Sequence, residues 1–161
     1  MCKPLASGLS IGKRSLVSAT PFEVNEIIRR LDLEPHPEGG HYRRTWQHPD
    51  EHDGRPLASS IIYLLTVGQV SQWHRIDAVE QWHFYGGDPL LLKVSVDGRR
   101  IEEHLLGPDT RQGHHHQVVV PAHAWQSASG AGTYSLVGCT VTPAFDFAHF
   151  ELAPDDWHPG A

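Results

Sequence analysis

The chain has 161 residues, of which 39% are hydrophobic and 20% are charged, as is typical of one globular domain. This composition excludes a disordered chain, a coiled coil and a collagen-like fibre. Nineteen Asp and Glu residues against 13 Lys and Arg residues give a formal net charge of −6. Because nucleic-acid binders carry a positively charged surface, we predict no nucleic-acid partner.

The cysteine content and the hydropathy pattern indicate a cytoplasmic protein. The two cysteines, Cys2 and Cys139, are too few for a disulfide framework, and a reducing compartment suits them. No apolar run approaches the length that spans a membrane, and the first residues lack the apolar segment of a signal peptide. We therefore predict a cytoplasmic location and no membrane partner.

A flexible leader is predicted for residues 1–19 and a single domain for residues 20–161. The domain begins with a predicted helix at 20–31, because Thr20 and Glu23 have the spacing of a capping box. Apolar residues at helical spacing form one stripe on this helix, and the stripe must be buried against another element. They are Val24, Ile27, Ile28 and Leu31.

The rest of the domain is predicted to be almost entirely β. A segment rich in Pro and Gly at 33–40 is irregular, and runs of β-branched and aromatic residues separated by turn residues follow it. Asp97 and Gly98 lie between two such runs and predict a two-residue hairpin turn. About seven short strands at this spacing indicate a sandwich or a barrel. The predicted strands are 60–66, 81–85, 90–96, 99–105, 117–120, 125–128 and 133–141.

Two stretches of the chain resemble the motifs of the cupins, which are small β-barrels. The first cupin motif is roughly His-x-His-x(3,4)-Glu-x(6)-Gly, and His74, Glu80 and Gly87 take its first His, Glu and Gly positions. The second motif is Pro-x-Gly-x-x-His, and Pro121 opens it. The chain departs from these motifs at the second His, at the Gly of the second motif and at its His, which are replaced by Ile76, His123 and Gln126.

The resemblance narrows to a family of small single-domain cupins of uncharacterised function. Its motifs occur in order along the chain and cover residues 24–157. The chain departs from this family at Arg44, where an acidic residue is usual, at His123 and in the triple His of 114–116. The resemblance implies an all-β fold, a cupin-type jelly-roll β-barrel (double-stranded β-helix) with a short N-terminal amphipathic helix. It also implies a homodimer.

A divalent metal is implied by the resemblance only as an alternative. The usual cupin site has three His ligands and one Glu ligand, and this chain keeps two of these four positions. His74, Glu80 and Gln126 are the candidate ligands for Fe, Mn, Ni or Zn, although an amide oxygen is a poorer donor than imidazole nitrogen. The His residues at 114–116 look like a metal site, but adjacent residues of an extended chain point in different directions, which favours an exposed loop.

Strand parity predicts which candidate side chains share a face. Side chains alternate between the two faces of a strand, so Glu80, Trp82 and Phe84 lie on one face, whereas His83 and Tyr85 lie on the other. If Glu80 points into the barrel, aromatic rings surround a few polar groups, which is the composition of a ligand pocket. The roles of His83 and Tyr85 stay open between a subunit interface and catalysis.

The leading functional hypothesis is an isomerase-like or epimerase-like enzyme that transfers a proton on a sugar or on a hydroxy or keto acid. His74 is the predicted general base, because the imidazole pKa lies near neutrality, and Glu80 orients its ring. Gln72, which shares a face with His74, and Gln126 would hold a developing enolate oxygen. The candidates for returning the proton are Tyr63, Tyr85 and His83, and further substrate contacts are predicted for Trp82, Phe84, Glu38, Tyr42 and Arg43.

Two alternatives to this hypothesis remain at the level of the sequence. One is a metal-dependent cupin enzyme with the incomplete ligand set, and the other is a cupin that binds a small ligand without transforming it. In all three cases the predicted partner is a small molecule in the barrel, and no cofactor is certain.

Overall fold

The computed structural model of the protein describes residues 21–160. Helix α1 (Pro21–Leu31) confirms the predicted helix. The leader at 1–19 and the predicted cap Thr20 lie outside the described residues. The apolar stripe of α1 packs with Leu64. No helix within 21–160 is long and apolar enough to cross a membrane.

Thirteen strands follow α1 within the described part of the chain, together with the short 3-10 helices η1 (Thr110–Gln112) and η2 (Phe147–His149). The strands are β1 (Glu34–Pro35), β2 (His41–Gln47), β3 (Glu51–His52), β4 (Arg55–Pro56), β5 (Ser59–Thr66), β6 (Val70–Ile76), β7 (Val79–Gly87), β8 (Leu90–Ser95), β9 (Glu102–Leu106), β10 (Gln117–Val120), β11 (Trp125–Gly130), β12 (Tyr134–Thr142) and β13 (Phe150–Leu152).

The strands form two antiparallel sheets, as a jelly roll requires. One sheet has the order β1-β2-β5-β12-β7-β10, the other has the order β13-β6-β11-β8-β9, and β3 pairs with β4 in a small separate hairpin. Strands β5 to β8 alternate between the two sheets, so each connection crosses from one layer to the other. The all-β, cupin-type fold predicted from the motifs is confirmed.

The main core lies between the sheets and follows strand alternation. Leu90, Leu92 and Val94 of β8 are buried while the residues between them are partly exposed. They pack in one cluster with Val118 and Val120 of β10. Each sheet thus contributes one apolar face, and burial of that apolar surface is the main term that favours folding.

The turn at Asp97 is wider than the sequence predicted. Strands β8 and β9 pair only as far as Val94 opposite Glu102, so the two-residue hairpin prediction was wrong. The Asp97 side chain instead accepts hydrogen bonds of 2.8 Å from the backbone N–H groups of Arg99 and Arg100. An Asp in a turn can satisfy backbone donors in this way, so the wider loop is stable without strand pairing.

Two glycines allow the loop after β1 to approach the barrel closely. A Cβ atom at Gly39 would lie 2.3 Å from the carbonyl oxygen of Val70, and one at Gly40 would lie 2.7 Å from that of Leu64. Both residues have positive φ, which glycine adopts without strain. The hydroxyl of Tyr63 donates a 2.6 Å hydrogen bond to the Gly39 carbonyl and holds the loop there. The residue before this pair, Glu38, is thereby placed inside the fold.

Replacing Gly40 by Ala should destabilise the protein more than replacing Gly54, because both have nearly the same positive φ but only Gly40 is crowded. Nothing lies within 4 Å of a Cβ atom at Gly54, whereas Gly40 faces backbone. We expect Gly40→Ala to lower the free energy of unfolding by about 1–3 kcal/mol more than Gly54→Ala, as measured by urea unfolding. Equal losses would show that the loop is not held against β5.

Candidate functional site

A bulge in β6 determines the direction in which His74 points. Strands β6 and β11 pair His74 with Gln126 and Ser71 with Ala128, so β6 has one more residue between these two pairs. Ser71 and His74 are both buried as a result, whereas Gln72 is exposed. The prediction that Gln72 shares a face with His74 was therefore wrong, because the extra residue resets the alternation.

The buried partner of His74 is Glu38. The His74 Nδ1 atom lies 2.8 Å from Glu38 Oε2 and 2.8 Å from the backbone carbonyl oxygen of Gln72. The hydroxyl of Ser71 also donates to Glu38 Oε2. Since both partners of Nδ1 are acceptors, Nδ1 carries a proton, and no described residue forms a hydrogen bond with Nε2. Glu38, predicted to contact a substrate, is buried and fixes the imidazole ring.

The two charges of this pair stabilise each other. Burial on its own would lower the pKa of His74, but the carboxylates of Glu38 and Glu80 more than offset it and raise that pKa to about 9. Burial likewise acts to raise the pKa of Glu38, and the neighbouring His74 outweighs it, so that pKa is lowered. His74 is thus an imidazolium at neutral pH. In this state it is a hydrogen-bond donor and an acid, whereas the sequence predicted a general base.

The side-chain amide of Gln126 fixes the position of Glu80. Gln126 Nε2 donates to Glu80 Oε2 at 2.5 Å, and Gln126 Oε1 accepts a 3.0 Å hydrogen bond from the Trp82 indole N–H. Because an indole N–H can only donate, this contact fixes which end of the amide faces Glu80. Burial raises the pKa of Glu80, although His74 and Gln126 act to lower it. Gln126 therefore positions a carboxyl group and does not face a ligand.

His36 is a site residue that the sequence analysis missed. Its Nδ1 atom lies 3.2 Å from Glu38 Oε1, so the Glu38 carboxylate is placed between two imidazole rings. Burial lowers the pKa of His36, and the charge of His74 lowers it further, although Glu38 opposes both. His36 follows Pro35 in a segment predicted to be a structural turn. Only the alternation of Pro, His and Glu beside two glycines could have suggested its role.

A small cavity of about 40 Å³ connects these groups. Since a water molecule needs roughly 10–15 Å³ measured in this way, the cavity has room for about three waters or for one end of a small molecule. Its ionisable lining consists of His36, Glu38, Tyr42, Arg44, His74, Glu80 and Cys139. The remaining lining residues are Ser59, Ile61, Ile76, Val141, Phe145 and Phe147.

The aromatic wall of the cavity is not the predicted one. Trp82 and Phe84 do not line it, since Trp82 is buried in the main core and Phe84 packs against that core. Their place is taken by Phe145 and Phe147, which follow β12 in a segment without periodicity. Tyr42, a predicted substrate contact, does line the cavity. The main core, which includes Trp82, fills the rest of the barrel, and the cavity is bounded by Phe145 and Phe147 of the C-terminal segment.

The remaining predicted residues lie away from the cavity. The Tyr63 hydroxyl is bonded to Gly39, and burial raises its pKa well above 10, so it is not placed to exchange protons with a ligand. Tyr85 is 58% exposed and does not line the cavity, and neither do His83 and Arg43. The catalytic or binding roles considered for these residues are not supported by where their side chains lie.

Comparison with known proteins identifies the family. The sequence pattern described as Cupin superfamily (DUF985) matches residues 25–153. The chain belongs to this cupin family. Two solved structures are similar in sequence as well as fold: a hypothetical protein from Leishmania major and a protein from Shewanella oneidensis. The first is 31% identical, covering 80% of this chain and 86% of that chain with a TM-score of 0.75. The second is 36% identical, covering 80% and 83% with a TM-score of 0.77.

More distant structures show the cupin fold alone. A variant of oxalate decarboxylase from Bacillus subtilis is 11% identical, with 75% of this chain and 30% of that chain covered and a TM-score of 0.58. No curated protein matches this cupin in sequence. The family and fold are therefore shown, and the chemistry has to be argued from the cavity.

The cavity of this cupin does not fit the metal site that its family resemblance implies. The second His position is taken by Ile76, whose side chain lines the cavity and offers no donor atom. The carboxamide oxygen of Gln126 is bonded to Trp82. Within residues 21–160, no three His, Cys, Asp or Glu side chains form a group that could hold a metal ion, and this includes the His residues at 114–116. His74, Glu80 and Gln126 thus do not present a set of free ligands.

Replacing Glu38 by Gln should lower the pKa of His74. The variant removes the charge that opposes the effect of burial, so we expect the pKa to fall from about 9 toward or below the ordinary value of 6.5. The measurement is a titration of the imidazole nitrogen signals by NMR. Glu103→Gln, on the exposed face of β9, is the control and should leave the titration unchanged. A His74 pKa that stays near 9 in Glu38→Gln would contradict the assigned pairing.

The same pair should make stability depend on pH in the alkaline range. The pKa of His74 is higher in the folded protein than the ordinary 6.5, so its stabilising effect is complete below pH 6.5 and is lost as the pH rises through about 9. We expect the free energy of unfolding, from urea titrations, to fall over this range. His74→Gln should reduce that slope, whereas His104→Gln should not. The same slope in His74→Gln and in the wild type would show that the pair does not form.

Proposed function

We propose that this cupin is an enzyme that transfers a proton on a small carbonyl compound, such as a sugar or a hydroxy or keto acid, as isomerases and epimerases do. One observation carries the proposal: the charged imidazole of His74 and the buried carboxyl group of Glu80 line the same small cavity. Neighbouring ionisable groups whose pKa values are shifted by burial and by a specific partner are typical of acid–base sites.

His74 is the group that would stabilise negative charge. Its Nδ1 proton is held by Glu38, and Nε2 forms no hydrogen bond with a described residue. An imidazolium in this state can donate from Nε2 to the carbonyl oxygen of a substrate. The donation becomes stronger as that oxygen gains charge in an enolate, and such preorganised donors supply a large part of catalysis in acyl and enol chemistry.

Glu80 is the group that would move the proton. A carboxylate whose pKa is raised by burial is a stronger base than an exposed one, and Gln126 fixes one of its oxygens. The proton leaves the carbon next to the carbonyl and binds to Glu80, while the electron pair of the C–H bond forms the enolate that His74 stabilises. Return of the proton from Glu80 to the same carbon regenerates the substrate. Where that carbon carries a hydroxyl group, His74 can pass its Nε2 proton to the enolate oxygen and take up the hydroxyl proton, so that return of the carbon-bound proton to the former carbonyl carbon gives the isomer.

These roles differ from those predicted from the sequence, in which His74 is the base and Glu80 orients its ring. The difference follows from Glu38, which occupies the orienting position at Nδ1 and keeps the ring protonated. The predicted oxyanion contacts are replaced as well, because Gln126 is bonded to Glu80 and Gln72 is exposed. His74 alone takes over the contact with the developing oxygen.

Hydrogen exchange in deuterium oxide tests the proposal. The protein is incubated with a panel of small hydroxy ketones, aldoses, and 2-oxo and 2-hydroxy acids, and loss of the carbon-bound proton next to the carbonyl or carboxyl group is followed by NMR. We expect one class of these compounds to exchange faster than without protein. Glu80→Gln and His74→Gln should each slow the exchange by roughly 10²-fold or more, since acid–base catalysis and oxyanion stabilisation have this size.

Glu103→Gln serves as the matched carboxyl variant, because its side chain is exposed and distant from the lining of the cavity. It should exchange as fast as the wild type. If compounds bind but none exchanges, the protein is a ligand-binding cupin and the proposed enzyme activity fails. Exchange that is unaffected by Glu80→Gln would remove Glu80 from the base position.

A further inference from the structure

Two adjacent arginines of β2 lie on opposite faces of the six-stranded sheet. Arg44 pairs with Ile61, and both side chains line the cavity. Arg43 pairs with Ile62, which packs against the cluster beneath helix α1 on the outer face. Residues directly opposite each other on paired strands share a face of the sheet. The strand register therefore places the guanidinium groups of Arg43 and Arg44 on opposite faces.

The Arg44 guanidinium has no acidic partner among the described residues. No Asp or Glu oxygen of residues 21–160 lies within 4.0 Å of it, and its one side-chain hydrogen bond, of 3.0 Å, goes to Gln47. A guanidinium has five N–H donors in a planar fork that matches the two oxygens of a carboxylate. The remaining donors can therefore bind an anion at the mouth of the cavity.

The carboxyl groups of the cavity already have partners other than Arg44. Glu38 forms an ion pair with His74, and Glu80 accepts a hydrogen bond from Gln126. Arg44 is the one Arg or Lys among the lining residues that the structure describes, and the Nε2 atom of His74 is a second donor without a partner among them. A small anion with a carbonyl or hydroxyl group next to its carboxylate could accept from both donors.

The apolar part of the lining argues against a sugar. Ile61, Ile76, Val141, Phe145 and Phe147 form much of the wall and offer no hydrogen bond. A sugar has a hydroxyl group on nearly every carbon, and burying these groups without partners costs free energy at each one. A three-carbon acid has its polar groups at one end and an apolar methyl or methylene group at the other, and the apolar end suits this wall.

We infer that Arg44 is a specificity-determining residue that binds the carboxylate of the substrate, so that the cavity takes small 2-oxo or 2-hydroxy monocarboxylic acids. The inference rests on the proposed function for what happens at the reactive carbon. The binding of the carboxylate is independent of that step and can be measured by itself.

Binding of acids and of their neutral amides tests the inference. The full chain is titrated with pyruvate and pyruvamide, and with glycolate and glycolamide, by calorimetry and by the NMR signals of the His74 imidazole. Each acid has nearly the same shape as its amide but differs from it in charge. We expect the wild type to bind each acid roughly tenfold or more tightly than its amide, with shifts of the His74 signals that place the ligand in the cavity.

Arg44→Gln should remove the preference for the acid, and Arg44→Lys should restore part of it, because Lys supplies the charge without the planar fork. Arg43→Gln is the matched control and should keep the full preference. The comparison within the wild type does not depend on any variant folding correctly. Equal binding of acid and amide, equal loss in Arg43→Gln and Arg44→Gln, or no binding of either acid would overturn the inference.

The outcomes also separate this inference from the proposed reaction. If acids bind through Arg44 but exchange no carbon-bound proton, the carboxylate site is supported and the proposed enzyme activity is overturned. Exchange of neutral sugars without any preference for acids would support proton transfer and overturn the role of Arg44.

Discussion

The ion pair between Glu38 and His74 is the interaction on which the site depends. Both side chains are almost completely removed from solvent, and the distance between Oε2 and Nδ1 is 2.8 Å. Burying two charges costs free energy that their attraction only partly returns, so such pairs are weak contributors to stability. A buried pair that lines a cavity is better explained by what it does to the protonation of its members. Here it keeps an imidazolium inside the barrel at neutral pH.

Several parts of the fold are arranged around that pair. The bulge in β6 turns both Ser71 and His74 inward, and the two glycines after Glu38 bring its loop against the barrel. The hydroxyl of Tyr63 anchors the loop, which explains why a buried tyrosine with a raised pKa contributes without taking part in proton transfer. Irregularities of strand and loop geometry, which cost stability elsewhere, here fix the position of one carboxylate.

The departures from the general cupin motifs form a consistent set. Ile76 removes one donor from the usual ligand positions. The Gln126 amide donates to Glu80 and is itself oriented by the indole N–H of Trp82. His123 occupies the Gly position of the second motif with a φ of 66°, in the left-handed region that favours glycine. The barrel is thus retained, and the last position of the second motif holds an amide that orients Glu80.

The sequence by itself determined the fold, the helix predicted at 20–31 and about half of the thirteen strands, and it singled out His74 and Glu80, because periodicity and motif spacing are local properties of the chain. It could not determine which face Gln72 takes, since one extra residue in a strand reverses every later side chain. It also could not determine that Glu38 meets His74, or that Arg44 faces the cavity while Arg43 does not. Those contacts join residues more than thirty positions apart or depend on strand register, and only the packing of the two sheets decides them.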